Sequence, residues 1–154
     1  MNTALNVITL PRAANLTKPP ATRPEDMVFV FGSNLIGLHG AGAAHYAMTT
    51  RNYPYGLGSG PHGTCYAIPT KDQHIETLYL HIVKLYVDQF INYAELMEGA
   101  DVQFQVTRIG CGLAGFKDEQ IAPLFRPAPS NCWFDEKWRP WLVDEPDTKY
   151  WGTF

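Results

Sequence analysis

Between Ile75 and Met97 apolar side chains return at three- and four-residue steps: Ile75, Leu78, Tyr79, Ile82, Leu85, Tyr86, Phe90, Tyr93, Ala94 and Met97. Glu76, Lys84, Asp88, Asn92 and Glu95 fall between them. That period predicts an amphipathic helix of about six or seven turns at 3.6 residues per turn, with Gly99 as its stop. Other apolar positions come in short unbroken runs, the mark of strands buried on both faces. Met27–Phe31 runs to Gly32, Thr64–Ile68 runs to Pro69, and Val102–Ile109 makes a third strand. The alanine-rich Ala41–Met48 and the short Lys117–Leu124 segment read as helices. Strands alternating with helices predict a parallel sheet with right-handed crossovers and helices on its faces.

Proline sets the outer limits. Pro11, Pro19, Pro20 and Pro24 precede residue 26, and Pro123, Pro127, Pro129, Pro140 and Pro146 follow residue 122. Proline lacks the amide hydrogen that ladders need. The expected organisation is an extended arm over 1–25, a core over 26–125, and an irregular wrap over 126–154 packed on that core. All four tryptophans, Trp133, Trp138, Trp141 and Trp151, lie in the wrap with Phe134, Tyr150 and Phe154. Aromatic clusters without basic charge pack on a core or on a partner subunit, so a homo-oligomer through this tail is one expectation.

At 154 residues the chain suits one domain. Twelve basic against fifteen acidic side chains give a net charge of −3, which argues against nucleic acid and anionic membranes as partners. No stretch approaches the roughly 18 apolar residues of a membrane span. Met1–Leu10 has no early positive charge or long apolar run, so no secretory signal is expected. Cys65, Cys111 and Cys132 are too few for a disulfide scaffold, and a cytoplasmic protein with reduced thiols is the expectation.

Candidate chemistry sits just past the strands, where ligands bind in open α/β sheets. After the first strand comes Gly32-Ser-Asn-Leu-Ile-Gly-Leu-His-Gly-Ala-Gly-Ala-Ala44, after the second Pro69-Thr-Lys-Asp72, and after the third Gly110-Cys-Gly-Leu-Ala-Gly-Phe116. Glycines at 37, 40 and 42 running into a helix let main-chain amides close on an anion, assisted by the helix dipole. Gly110, Gly112 and Gly115 can do the same from a facing loop, and two such loops suit a diphosphate. Gly58, Gly60 and Gly63 formally match a dinucleotide fingerprint, but they precede a strand rather than follow one. A flexible loop near the site is the expected role there, and no Walker motif exists. Lys71 can bind an anion or, if desolvated, act as a nucleophile. Asn34 suits a ribose hydroxyl, a water or a turn. Cys111 reads as a small residue fitted into a tight loop rather than a nucleophile. His39, His45, His62, His74 and His81 lack metal-ligand spacing with the cysteines, so neither metal nor cofactor is expected.

Together these loops resemble the macrodomain family of ADP-ribose-binding modules over about residues 27–125. Gly32-Ser-Asn34 is similar to its first-loop motif, and Gly40-Ala-Gly-Ala-Ala44 to its glycine-rich helix start. Val106-Thr-Arg-Ile-Gly-Cys-Gly-Leu-Ala-Gly-Phe116 is similar to its strand and phosphate-binding loop. The branch it resembles most is that of the terminal ADP-ribose protein glycohydrolases, with Lys71 matching a lysine after the middle strand. The resemblance implies a three-layer α/β/α macrodomain-like mixed sheet with an irregular aromatic-rich C-terminal extension. It implies binding of ADP-ribose or an ADP-ribosylated substrate by Gly32, Ser33, Asn34, Gly40, Ala41, Gly42, Ala43, Thr70, Gly110, Cys111, Gly112, Leu113, Ala114, Gly115 and Phe116. Phe116 would lie against a ribose and Asn34 would orient the distal ribose. In a hydrolase Lys71 would attack or polarise the anomeric carbon, with Asp72 as a stand-in acid–base group, or a water held by Asn34 and the bound diphosphate would attack instead, making Asn34 a third catalytic candidate. Two departures stand out. Ala114 occupies the place of the branch's catalytic aspartate, and no N-terminal strand with an adenine-contacting aspartate precedes Met27, Asp26 being only a positional match. A binding module without turnover, a phosphatase of ADP-ribose phosphate, and an interaction protein built on the tryptophan-rich tail remain the alternatives.

Overall fold

The computed structural model describes residues 23–143 and 147–154. The expected arm over 1–25 lies almost wholly outside them. The chain folds as an α/β protein around one six-stranded, mostly parallel sheet. Its strands are β1 (Val28–Asn34), β2 (Gly60–His62), β3 (Cys65–Lys71), β4 (Phe104–Val106), β5 (Cys132–Asp135) and β6 (Lys149–Gly152). They lie side by side as β2-β3-β1-β4-β5-β6. Only β2 runs antiparallel to its neighbour.

Side-chain alternation explains why β1 is central. Phe29 and Phe31 pack with Ala44, Ala47 and Tyr53 of and beside helix α1 (Gly42–Arg51), together with Cys65 and Ala67 of β3. Val30 points the other way, into a larger cluster with Val83, Val87 and Phe90 of helix α2 (Leu80–Met97). The sheet is therefore covered from both sides by the two helices, as an apolar run with no polar face requires. Helix α1 ends at Asn52, which takes the left-handed conformation that asparagine tolerates.

Several elements differ from expectation. Strands β1 and β3 run past Gly32 and Pro69, their expected stops, to Asn34 and Lys71, so Ser33, Asn34, Thr70 and Lys71 are strand rather than loop residues. Helix α2 begins at Leu80, about five turns before Met97, because the segment ahead of it is committed elsewhere. Lys71 pairs with Thr77 in an antiparallel bridge, and the Leu78 amide donates to Thr70 O at 2.9 Å. The strand foreseen over Val102–Ile109 narrows to Phe104–Val106; the Thr107 amide still makes the last ladder bond, to Val30 O at 3.1 Å, and its hydroxyl donates to the same oxygen at 2.8 Å. The tail is not an irregular wrap. It supplies β5 and β6, and Trp138 is fully buried against Phe125 and Phe134. Trp151 ties the last strand back by donating Nε1–H to Val106 O at 2.9 Å.

Gly58–Gly63 is likewise no flexible loop. Gly60–His62 forms β2, Gly63 turns into β3, and Gly58 presses so closely on β1 that a Cβ would sit 2.2 Å from Asn34 O. Pro69 lies within β3, opposite Ser33 of β1, beyond Ala67 where the pairing with β2 has ended. That is the position a strand proline needs.

Candidate functional site

Five parallel strands finish at one edge of the sheet, and the loops singled out from the sequence leave from the ends of β1, β3 and β4. The first of these loops is clamped from below. Asn34 is buried; its Nδ2 donates to Leu38 O at 2.8 Å and its Oδ1 accepts from Leu38 N at 2.9 Å. Its amide thus holds the loop shut, a use already allowed by its turn-forming chemistry, and is not turned outward toward a ribose. Ser33 donates its hydroxyl to Gly58 O. Gly37 has φ +71°, and a Cβ on it would meet the Gly56 carbonyl carbon at 2.3 Å. His39 is fully buried, with Nε2 facing Leu57 O at 2.9 Å and Pro54 O at 3.2 Å. Two facing carbonyls place the proton on Nε2, leaving Nδ1 as a buried lone pair without a partner. His39 is therefore a clamp in the core, although it lies in a candidate ligand loop.

Past that clamp the chain opens. Gly40, Ala41 and Gly42 are exposed, Ala43 half-buried, and nothing lies within 4 Å of where a Cβ on Gly40 or Gly42 would stand. Helix α1 starts at Gly42 with no side chain capping its first turn, so its leading N–H groups are available to an anion.

At the end of β3 the buried Thr70 donates its hydroxyl to Ser33 O at 3.3 Å. Lys71 is half-buried, and its carbonyl accepts from Leu35 N at 3.0 Å. One oxygen of the Asp72 carboxylate is committed to its own turn, where Oδ1 accepts from His74 N at 2.8 Å and Glu76 N at 3.0 Å. The Glu76 amide, above all, holds that carboxyl below the usual carboxylate range. With Oδ1 committed to the turn, only Oδ2 is left to Asp72 for any acid–base role.

The loop after β4 is a compact strap. Gly110 is buried with φ +76°, and a Cβ there would touch the Phe116 ring at 3.1 Å and the Thr70 methyl at 3.5 Å. Phe116 N donates to Gly110 O at 2.9 Å, Gly115 N to Gly112 O at 3.0 Å, and Thr77 Oγ1 to Ala114 O at 2.8 Å. Among the described residues the amides of Gly112, Leu113 and Ala114 have no acceptor, and Gly112 and Gly115 face open space. Burial, reinforced by Asp118, pushes the Cys111 thiol up to about 12, which makes it a packing group rather than a thiolate nucleophile.

The structure brings Gly32, Ser33, Thr70 and Gly110 together. A Cβ on Gly32 would lie 3.0 Å from Ile109 Cγ2 and 3.3 Å from Gly110 N. The outward stretches Gly40–Ala43 and Gly112–Gly115 rise from neighbouring strands at the same edge, and no hydrogen bond joins them among the described residues. Leu35, Ile36, Leu38 and Leu113 are exposed on these same loops. A shallow, partly open depression lined by Phe125, Cys132, Phe134, Leu142, Arg126 and Asp147 lies instead at the amino ends of β5 and β6. Asp26 is also at the far end, paired with Arg23 before β1, where it cannot touch a ligand held by these loops.

Arg108, Asp118 and Trp138 went unforeseen. Arg108 Nε and Nη2 reach the two carboxylate oxygens of Asp118 at 2.8 and 2.6 Å, and Trp138 Nε1 donates to the same carboxylate at 2.8 Å. Asp118 opens helix α3 (Asp118–Ile121), right behind the strap. An acidic residue at a helix start was a visible signal, but its partner from the tail was not.

Compared with known proteins, the chain matches no family model, no curated protein and no solved structure. Among the described residues no helix is long and apolar enough to cross a membrane, and no three His, Cys, Asp or Glu side chains gather where they could hold a metal ion.

Proposed function

We propose that this chain is a macrodomain-like module that binds ADP-ribose or an ADP-ribosyl group. The observation that carries this reading is the pairing of two glycine-rich, amide-bearing loops at the carboxyl ends of adjacent parallel strands, β1 and β4. In this reading the first-turn amides of α1 and the amides of Gly112, Leu113 and Ala114 hold the diphosphate. Main-chain donors at fixed positions suit an anion without demanding a basic surface, in keeping with the net charge of −3. The exposed leucines and Ile36 on the same loops supply apolar surface for nucleoside rings. Asn34 acts by shaping the loop.

Binding without turnover is the form best supported, because Ala114 carries no acid and Asp72 is tied into its turn. Hydrolysis through Lys71 is the second reading. It is favoured by the position of Lys71 at the end of β3, bridged to Thr77, which in turn bonds to Ala114. Calorimetric titration with ADP-ribose beside AMP and NAD tests the first reading, which expects ADP-ribose to bind at least tenfold more tightly than AMP. Equal affinity for both would defeat it. Incubation with mono-ADP-ribosylated protein then separates the readings: release that disappears in Lys71→Ala establishes hydrolysis.

A further inference from the structure

The strap that carries Cys111 to Phe116 starts beside Arg108 and ends beside Asp118, and those two residues grip each other. The contact is two-pronged, with both carboxylate oxygens engaged at 2.8 and 2.6 Å, a geometry that guanidinium provides and a lysine cannot. The other ion pairs among the described residues, Arg23–Asp26, Lys84–Asp88 and Arg139–Glu136, join side chains three or four positions apart and at least 42% exposed. Arg108–Asp118 spans ten positions, closes the glycine strap, and is only 31% and 18% exposed. Water therefore screens it less than an ordinary surface pair. Trp138 adds a third donor to Asp118 and is itself packed at the centre of the tail, so the pair is bolted to the core. Within the strap three main-chain hydrogen bonds set the turn: Cys111 N to Arg108 O, Phe116 N to Gly110 O, and Gly115 N to Gly112 O. Three glycines in seven residues would otherwise leave this segment many conformations.

We propose that Arg108 and Asp118, seated on Trp138, are positioning residues that hold Gly110–Phe116 in the shape in which its amides receive a ligand diphosphate. The identity of the ligand rests on the ADP-ribose reading, whereas the ordering of the strap does not. Asp118 neutralises Arg108, so the arginine acts through geometry rather than through its charge on the ligand.

The test uses the full chain labelled with nitrogen-15. Backbone order parameters of Gly112–Gly115 are measured without ligand in the wild type, Asp118→Asn and Asp118→Glu, and each protein is titrated with ADP-ribose. The wild type should show rigid values near 0.85 and Asp118→Asn values below about 0.6. Asp118→Asn should bind at least tenfold more weakly, and Asp118→Glu should recover to within about threefold of the wild type. Loss of order confined to Gly112–Gly115, with the rest of the sheet staying rigid, separates the lock from a general loss of stability. Unchanged order parameters in Asp118→Asn overturn the lock. If the wild type itself ignores ADP-ribose, the ligand reading falls while the order parameters still decide the lock. Should Asp118→Asn fail to fold, Arg108→Lys, which keeps the charge and loses the fork, is judged by the same two measurements.

Discussion

Thr77 and Ala114 lie 37 positions apart, yet the threonine hydroxyl donates to the alanine carbonyl at 2.8 Å. Because Thr77 also pairs through its main chain with Lys71, position 114 is one hydrogen bond away from the residue that bridges to the lysine. The loops after β3 and β4 are thereby one piece. Removing the link with Thr77→Val should cost about 0.5–1.5 kcal/mol at most, since a protein hydrogen bond nets little over water. Thermal melting should fall by less than about 6 °C for a chain of this size. ADP-ribose affinity should drop three- to tenfold in calorimetry, and an unchanged affinity would detach this link from the site.

The same closeness makes Ala114→Asp informative. On the ADP-ribose reading, a carboxylate placed at position 114 should bring release of ADP-ribose from a mono-ADP-ribosylated protein at least tenfold faster than by the wild type. Addition of Lys71→Ala should abolish the gain.

Two glycines should behave in opposite ways. Gly37 combines φ +71° with main-chain atoms 2.3 Å from any added Cβ. Gly37→Ala should therefore destabilise by about 2–4 kcal/mol, through strain and displacement of the 54–58 segment. Gly112 has open space around it. Gly112→Ala should melt within about 2 °C of the wild type but bind ADP-ribose at least fivefold more weakly, because a methyl group would crowd the diphosphate.

Cys111 should be chemically quiet. With its thiol raised to about 12 by burial and by Asp118, only about one molecule in ten thousand carries the thiolate at pH 8. Iodoacetamide should leave it unmodified over an hour at that pH, by mass spectrometry of the intact protein. Cys111→Ser should retain ADP-ribose binding.

Acid should release Asp118. Arg108 is the main cause holding this carboxyl below its usual range, with Trp138 assisting against burial. A folded-state value below the unfolded one, near 4, gives stabilisation present above that unfolded value and lost as pH falls through the folded one. The difference in urea stability between wild type and Asp118→Asn should stay constant from pH 7 to about 5 and shrink below about 4.

What could be read in the sequence were the features that depend on near neighbours. The unbroken apolar run Met27–Phe31 located β1, and the repeat from Leu80 to Met97 located α2, because burial on two faces and burial on one leave different patterns. That repeat overshot to Ile75, since Ile75 and Tyr79 satisfy the helical spacing although the Lys71–Thr77 bridge takes them out of the helix. Strands β5 and β6 were hidden by the prolines around them and by tryptophans that suit any packed surface. At the site, the glycine loops were legible because glycine is the usual residue for tight turns and close approach, as at Gly37 and Gly110. The Arg108–Asp118–Trp138 cluster was not, because nothing local links position 138 to a helix start twenty residues earlier.

Pro69 has one more effect. Any foreign strand that tried to lengthen the short ladder of β2 along the outer side of β3, toward Lys71, would come to a residue with no main-chain hydrogen to offer. Past it the outer side of β3 is already taken, by the Leu78 amide on Thr70 O and by the Thr77 bridge to Lys71, so that edge offers a foreign strand no continuous ladder.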